Sequence, residues 1–198
     1  KLERNARVNI STPEEFKSCL PSHIPTGTVT VFDFLLNRVD LNAPVTPSLL
    51  RMLAEYCSEF NDKSDLLMLS SSVNQTVYRV QIQQQRANII DVLKWYPSCQ
   101  PNLGHLIQLL PAMAHRYFSI SNSQLKNADE IHVAFTVLEY ETPPPHRLHR
   151  MGTCTTWLKN LAAKFWREED DPVYIPFFLK RTPEFALPTN LHAPMIMI

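Results

Sequence analysis

The nine residues His115-Arg116-Tyr117-Phe118-Ser119-Ile120-Ser121-Asn122-Ser123 place a cation, two aromatic rings and three serine hydroxyls on one short segment. That mixture suits a flat, hydrogen-bonding, negatively charged ligand, because a guanidinium pairs with anions through a planar fork and rings pack on planar groups. Extended backbone over 117–121 sets Phe118 and Ile120 on one face and Tyr117, Ser119 and Ser121 on the other. A half-buried strand with a serine-rich exit turn has the same composition. The chemistry therefore needs a second stretch, and thirty-odd residues downstream stands Met151-Gly152-Thr153-Cys154-Thr155-Thr156-Trp157-Leu158. Trp157, Leu158, Leu161, Ala162 and Phe165 recur at helical spacing, so the glycine and threonines fall at a helix N-terminus. Unpaired N–H groups and the helix dipole favour an anion there, Gly152 allows close approach, and threonine hydroxyls add donors. Threonines at a helix start also serve as plain caps.

The link Thr142-Pro143-Pro144-Pro145-His146-Arg147-Leu148-His149-Arg150 delivers that helix and brings two arginines and two histidines towards it. No carboxylate or thiolate is spaced to complete a metal site with the histidines, so no metal is expected. Cys19, Cys57, Cys99 and Cys154 lie 38, 42 and 55 residues apart, without the close pairs of zinc or redox motifs. No serine–histidine–acid or cysteine–histidine triad follows from spacing.

The elements that must carry these residues divide near Pro111. Before it the pattern is helical. Thr12-Pro13-Glu14-Glu15 is a capping box opening a short helix, Thr46-Pro47 repeats the device before Leu49, Leu50, Leu53, Ala54 and Cys57, and Val29 to Leu36 fits a helical face. Further helical pieces fall at 65–69 and 76–85, at 87–95 ended by Tyr96-Pro97, and at 103–110 ended by Pro111. Beyond Pro111 the period becomes alternating. Ile131, Val133, Phe135 and Val137 oppose His132, Ala134, Thr136, Leu138 and Tyr140 along a strand of about ten residues, which with 117–121 predicts an antiparallel sheet. Val173 to Leu179 reads as an edge strand punctuated by Pro176, Phe185 to Pro188 as an extended connection, and Met195 to Ile198 as a last strand.

A chain of 198 residues with 44% hydrophobic content can bury a real core. With 19 basic and 19 acidic residues there is no charge excess to bind nucleic acid or an anionic membrane, so any anion site is local. No signal peptide or membrane-spanning run accompanies the glycosylation-type triplets at Asn9 and Asn74, and the cysteine usage points to a cytoplasmic chain with reduced thiols. Three glycines against sixteen prolines leave most turns to proline, asparagine and serine. Lys1 is no initiator methionine and the closing apolar run stops without a turn, so the expectation is a segment of a longer chain.

Taken in order, Arg116-Tyr117-Phe118-Ser119, the strand ending Glu139-Tyr140-Glu141-Thr142, and Gly152-Thr153-Cys154-Thr155-Thr156-Trp157-Leu158 resemble the FAD-binding region of the NADPH–cytochrome P450 reductase family of diflavin reductases. The resemblance reaches upstream to Arg86, Tyr96-Pro97 and Leu109-Leu110-Pro111, and downstream to Ile175-Pro176-Phe177-Phe178, Phe185 to Pro188 and Pro194 to Ile198. It implies an α+β fold, with a helical connecting subdomain over 1–111, part of a ferredoxin-reductase-like antiparallel FAD-binding β-barrel over 112–192, and at 193–198 the first strand of a truncated NADPH-binding domain. It also implies that Arg116 pairs with the FAD pyrophosphate and that Phe118, beside Tyr117, packs on the isoalloxazine. Ser119 sets its hydroxyl near flavin N5 as the catalytic candidate. Gly152, Thr153, Cys154 and Thr155 wrap the phosphates, Arg86 makes a remoter FAD contact, and Ala134 and Thr136 flank the flavin.

For the full-length protein the same resemblance implies FMN and NADPH as further cofactors and electron delivery to an acceptor protein. The closing residues are most similar to a cytosolic branch serving iron–sulfur protein assembly, whose acceptor is a cluster carrier. Cys154-Thr155-Thr156-Trp157-Leu158 is similar to the methionine synthase reductase branch. The segment alone, without a nicotinamide domain, is expected to be inactive. A non-catalytic interaction module that keeps the fold and loses the flavin is the alternative from another class.

Overall fold

Local signals explain most of the helical half. In the computed structural model, which describes residues 6–10, 27–123, 125–167, 173–181, 190, 192 and 194, the chain falls into two compact units, 1–158 and 159–198. In the first unit, β1 (Arg7–Ile10) pairs antiparallel with β2 (Gly27–Thr30), Arg7 opposite Thr30. Helix α1 (Val31–Asn37) follows at once, its N–H of Asp33 donating to the Thr30 hydroxyl at 3.0 Å. The helix expected from Val29 therefore begins two residues later. Val29 is β-branched and lies in the β1–β2 ladder, and Thr30 is an N-cap. The helix expected at Thr12 lies outside the described residues.

Helix α2 (Pro47–Ala54) starts as its Thr-Pro signal predicts, with Thr46 as N-cap, and buries Leu49, Leu50, Leu53 and Ala54. Helix α3 (Phe60–Leu69) begins five residues before the predicted piece. A 3₁₀ turn (Ser72–Asn74), the short α4 (Gln75–Tyr78) and a π-helical turn (Arg79–Gln83) then form the piece expected at 76–85. Helix α5 (Ile89–Trp95) opens with a reciprocal capping box: the Asp91 N–H donates to Asn88 Oδ1 at 3.0 Å and the Asn88 N–H to Asp91 Oδ2 at 2.9 Å. It ends before Pro97, and α6 (Leu103–Leu109) ends before Pro111. One continuous core, including Phe34, Leu50, Leu53, Leu66, Ile82 and Val92, joins these helices.

The later part of the first unit is mixed as expected, but it is open. The strands predicted at 117–121 and 131–140 are reduced to an isolated bridge, Ile120 opposite Val133, and a short ladder of β3 (Glu139–Glu141) with β4 (His149–Met151), Tyr140 opposite Arg150. Alternation predicts which side chains share a face, whereas a ladder needs a neighbouring strand for each edge. Ile120, Ile131, Val133 and Phe135 remain 37 to 42% exposed, and no closed barrel forms among the described residues. Helix α7 (Thr153–Trp166) begins where the sequence places it. In the second unit, residues 173–181 have no strand assignment, with Tyr174 and Phe177 standing exposed, so the edge strand expected at 173–179 is not formed among them. Pro176 supplies no N–H for a ladder. The stretches 185–188 and 195–198 lie outside the described residues.

Candidate functional site

Arg116, Tyr117 and Phe118 sit on the extended segment that leaves α6, and Gly152 to Thr155 form the start of α7. With Leu138 they line one open cleft of about 250 Å³. Two stretches separated by more than thirty residues thus face a common space, and seven of the nine candidate binding residues share it. Arg86 and Ser119 are outside the lining set. Arg86 is an exposed residue in the left-handed region, φ 47°, following the π turn. Ser119 is exposed one residue beyond Phe118, whose ring packs tilted on Phe135 with centroids 5.7 Å apart. Ala134 and Thr136 are exposed and also outside the lining.

The start of α7 is pinned by backbone and hydroxyl contacts. The Gly152 N–H donates to the Leu138 carbonyl at 2.8 Å, and the Thr156 N–H to the Gly152 carbonyl at 2.9 Å. The N–H groups of Thr153, Cys154 and Thr155, in the first turn, have no intrahelical acceptor by the geometry of a helix start. A Cβ on residue 152 would come within 2.5 Å of Thr155 Oγ1 and 3.0 Å of Leu138 Cβ, so the backbone approaches its neighbours as only glycine permits. Thr155 Oγ1 accepts the Leu138 N–H at 3.3 Å, and Thr153 Oγ1 accepts from Asn42 Nδ2 at 3.0 Å. Each hydroxyl that accepts in this way keeps its proton as a donor for another group. The Thr156 hydroxyl in the same turn is buried and makes no hydrogen bond.

Arg116 is held from two sides. One guanidinium nitrogen donates to the Ala114 carbonyl at 2.8 Å, and another lies 3.6 Å from Asp40 Oδ2, with the arginine side chain 44% exposed. The remaining donors are available to a cleft ligand. The basic residues of the proline-rich link have other duties. Arg150 is ion-paired with Asp91 at 2.6 Å and donates twice to the Gln85 carbonyl, His149 bonds Glu139, and His146 stacks on Trp95 with centroids 4.3 Å apart. Arg150 and His146 fasten the β3–β4 hairpin to the helices, while the His149–Glu139 bond ties the two strands of the hairpin to each other. The fully buried Gln85 amide completes that fastening, donating to the Pro143 and Pro144 carbonyls and accepting from the Thr142 hydroxyl at 2.8 Å.

Sequence reasoning missed Leu138, Asp40 and Asn42. Asp40-Leu41-Asn42 signals no more than a turn, and contacts across 111 positions leave no local pattern. The fifty-seven-residue separation of Gln85 from Thr142 hid the fastening in the same way. Among the described residues no group of three or more metal-ligating side chains occurs, and no helix is long and apolar enough to cross a membrane.

An anion-ready helix start opposite an arginine and two aromatic rings gives the cleft the chemistry that a nucleotide cofactor requires. The family model described as FAD binding domain matches residues 2–157, and the chain belongs to that family, as a part of the diflavin reductases. NADPH–cytochrome P450 reductase of Drosophila melanogaster is 34% identical over 192 residues, covering 96% of this chain and 27% of that protein. Methionine synthase reductase of Mus musculus is 30% identical, covering 91% and 27%, and nitric oxide synthase of Bombyx mori 30% identical, covering 89% and 14%. The chain thus spans about a quarter of the length of the first two. The residues present fit a dinucleotide: donors at the α7 start and a guanidinium, which line one cleft, suit its phosphates.

Proposed function

We propose that this cleft holds the FAD of an NADPH-dependent diflavin oxidoreductase, of which the chain supplies the helical connecting subdomain (1–111) and part of the flavin barrel (112–192). The observation that carries the reading is the convergence of Arg116 and the Gly152–Thr155 helix start on one cleft. Arg116 pairs with the pyrophosphate, the N–H groups of Thr153, Cys154 and Thr155 bind its oxygens, Tyr117 and Phe118 cover the flavin, and Arg86 contacts the remoter nucleotide. Ser119 orients the redox edge of the ring with its hydroxyl. Bound there, FAD supplies the hydride-accepting and single-electron chemistry that no side chain provides.

The full-length protein, on this reading, also uses FMN and serves an acceptor protein in the cytoplasm, in iron–sulfur cluster assembly. A methionine synthase reductase role is the second reading, favoured by the Cys154-Thr155-Thr156-Trp157-Leu158 motif and by the mouse relative. The test is to express the full-length protein that carries this chain and record its flavin content and spectrum. Arg116→Ala is expected to lower FAD content severalfold, and Ser119→Ala to leave FAD bound while slowing flavin reduction by NADPH about tenfold or more. Full FAD retention in Arg116→Ala would sink the placement of the site. Electron transfer assays with a cluster carrier and with methionine synthase then separate the two acceptor readings.

A further inference from the structure

The turn between α1 and α2 reaches both halves of the cleft. Val39 is fully buried and bridges Ala112, the Asp40 N–H donates to the Pro111 carbonyl at 2.8 Å, and the Met113 N–H to the Arg38 carbonyl at 2.9 Å, so the turn is sewn to the segment that leads into Arg116. Asp40 then uses both carboxylate oxygens. Oδ1 accepts the Asn42 N–H at 3.0 Å, and Oδ2 faces Arg116 at 3.6 Å. Asn42 turns its amide to the other half, donating to Thr153 Oγ1 at 3.0 Å.

The direction of that last bond is dictated from the helical body. Asn88 caps α5 by accepting the Asp91 N–H on Oδ1, so its Nδ2 is the atom left to face Asn42. That Nδ2 is 3.1 Å from Asn42 Oδ1 and can only donate. Asn42 must therefore accept with its oxygen and donate with its nitrogen, and Thr153 must accept. The Thr153 hydroxyl, accepting from Asn42, keeps its own proton to donate elsewhere. Asn88 is buried, which holds this order of donors and acceptors in place.

Resting on the FAD reading above, we infer that Asn42 is a positioning residue for the cofactor: relayed from the α5 capping box, its amide forces the Thr153 hydroxyl to present a proton to the phosphate, while Asp40 in the same turn aims Arg116. Asn42 touches no ligand itself. Its effect on affinity passes through Thr153, and that predicts non-additivity.

The experiment uses the full-length protein, stripped of FAD and titrated with it, following flavin fluorescence, with the thermal midpoint of each apo variant as a check of folding. Asn42→Ala and Thr153→Val are each expected to weaken FAD binding about five- to tenfold, and the double variant no more than the weaker-binding single. Asn42→Asp, which is isosteric but offers the hydroxyl an acceptor, is expected to weaken binding more than Asn42→Ala at an unchanged midpoint. Additive losses in the double variant, or an Asn42→Asp protein that binds as well as Asn42→Ala, overturn the inference. Arg116→Ala is run alongside: if it binds FAD normally, the site itself is misplaced, and if it alone loses FAD, only the relay fails.

Discussion

Gly152 shows how much one absent methyl group decides. The α7 start is folded against Leu138 and the Thr155 hydroxyl so closely that a Cβ would overlap the hydroxyl at 2.5 Å. Thr155 cannot simply rotate away, because its oxygen also accepts the Leu138 N–H. Gly152→Ala must shift the first turn of α7, and with it the N–H groups proposed above to bind the FAD pyrophosphate. We expect a fall of about tenfold in FAD affinity, equivalent to about 1.4 kcal/mol, read by fluorescence titration of the full-length protein. The residue types at this site were legible early. Arginine beside aromatics, and a glycine with threonines before an amphipathic run, state their chemistry by composition. Asn42 was not legible, since what matters in it is hydrogen-bond direction, set by Asn88 and Asp91 far along the chain, and Asp40 was not, since Arg116, which it faces, lies in a distant segment.

Among the elements, the helices were the readable part because their signals are local: a Thr-Pro start for α2, and apolar stripes ended by a proline for α5 and α6, fix these helices within a few residues. The extended segments were read in face but not in pairing. Val133 and Phe135 alternate as a strand should, yet no ladder forms at Phe135, because pairing depends on what lies beside an edge and not on the strand itself. What holds the hairpin β3–β4 instead is its fastening to the helical body. Arg150 and Asp91 are 16% and 13% exposed, so removing either leaves a largely buried charge unpaired, and Arg150 also satisfies the Gln85 carbonyl. Arg150→Ala is expected to cost about 3 kcal/mol in urea unfolding. An effect below about 0.5 kcal/mol would place the pair with ordinary surface ion pairs.

For the whole molecule, alkaline pH is the informative stress. Burial pushes the Cys99 thiol from its ordinary 9.0 up to about 12, with the neighbouring Cys57 and then Asp62 adding to the effect. Burial also raises the Tyr78 hydroxyl, and burial followed by Asp65 and Asp62 raises that of Tyr96. Between pH 9 and about 12 the unfolded chain releases the Cys99 proton while the folded chain keeps it. Folding stability is therefore fully present below pH 9 and declines as pH rises through that window. Cys99→Ala is expected to flatten the decline measured by urea unfolding at successive pH values, leaving the tyrosine contribution. An unchanged slope would show that Cys99 stays protonated to the same pH in both states.

The stack of His146 on Trp95 joins the proline-rich link to the last turn of α5, two segments whose separation is the same event as release of the hairpin from the helices. An indole in face-to-face contact with an imidazole is quenched at contact range and recovers once the rings part. With Trp157 and Trp166 replaced by phenylalanine, the emission of Trp95 is expected to report the docking of the hairpin that leads into α7.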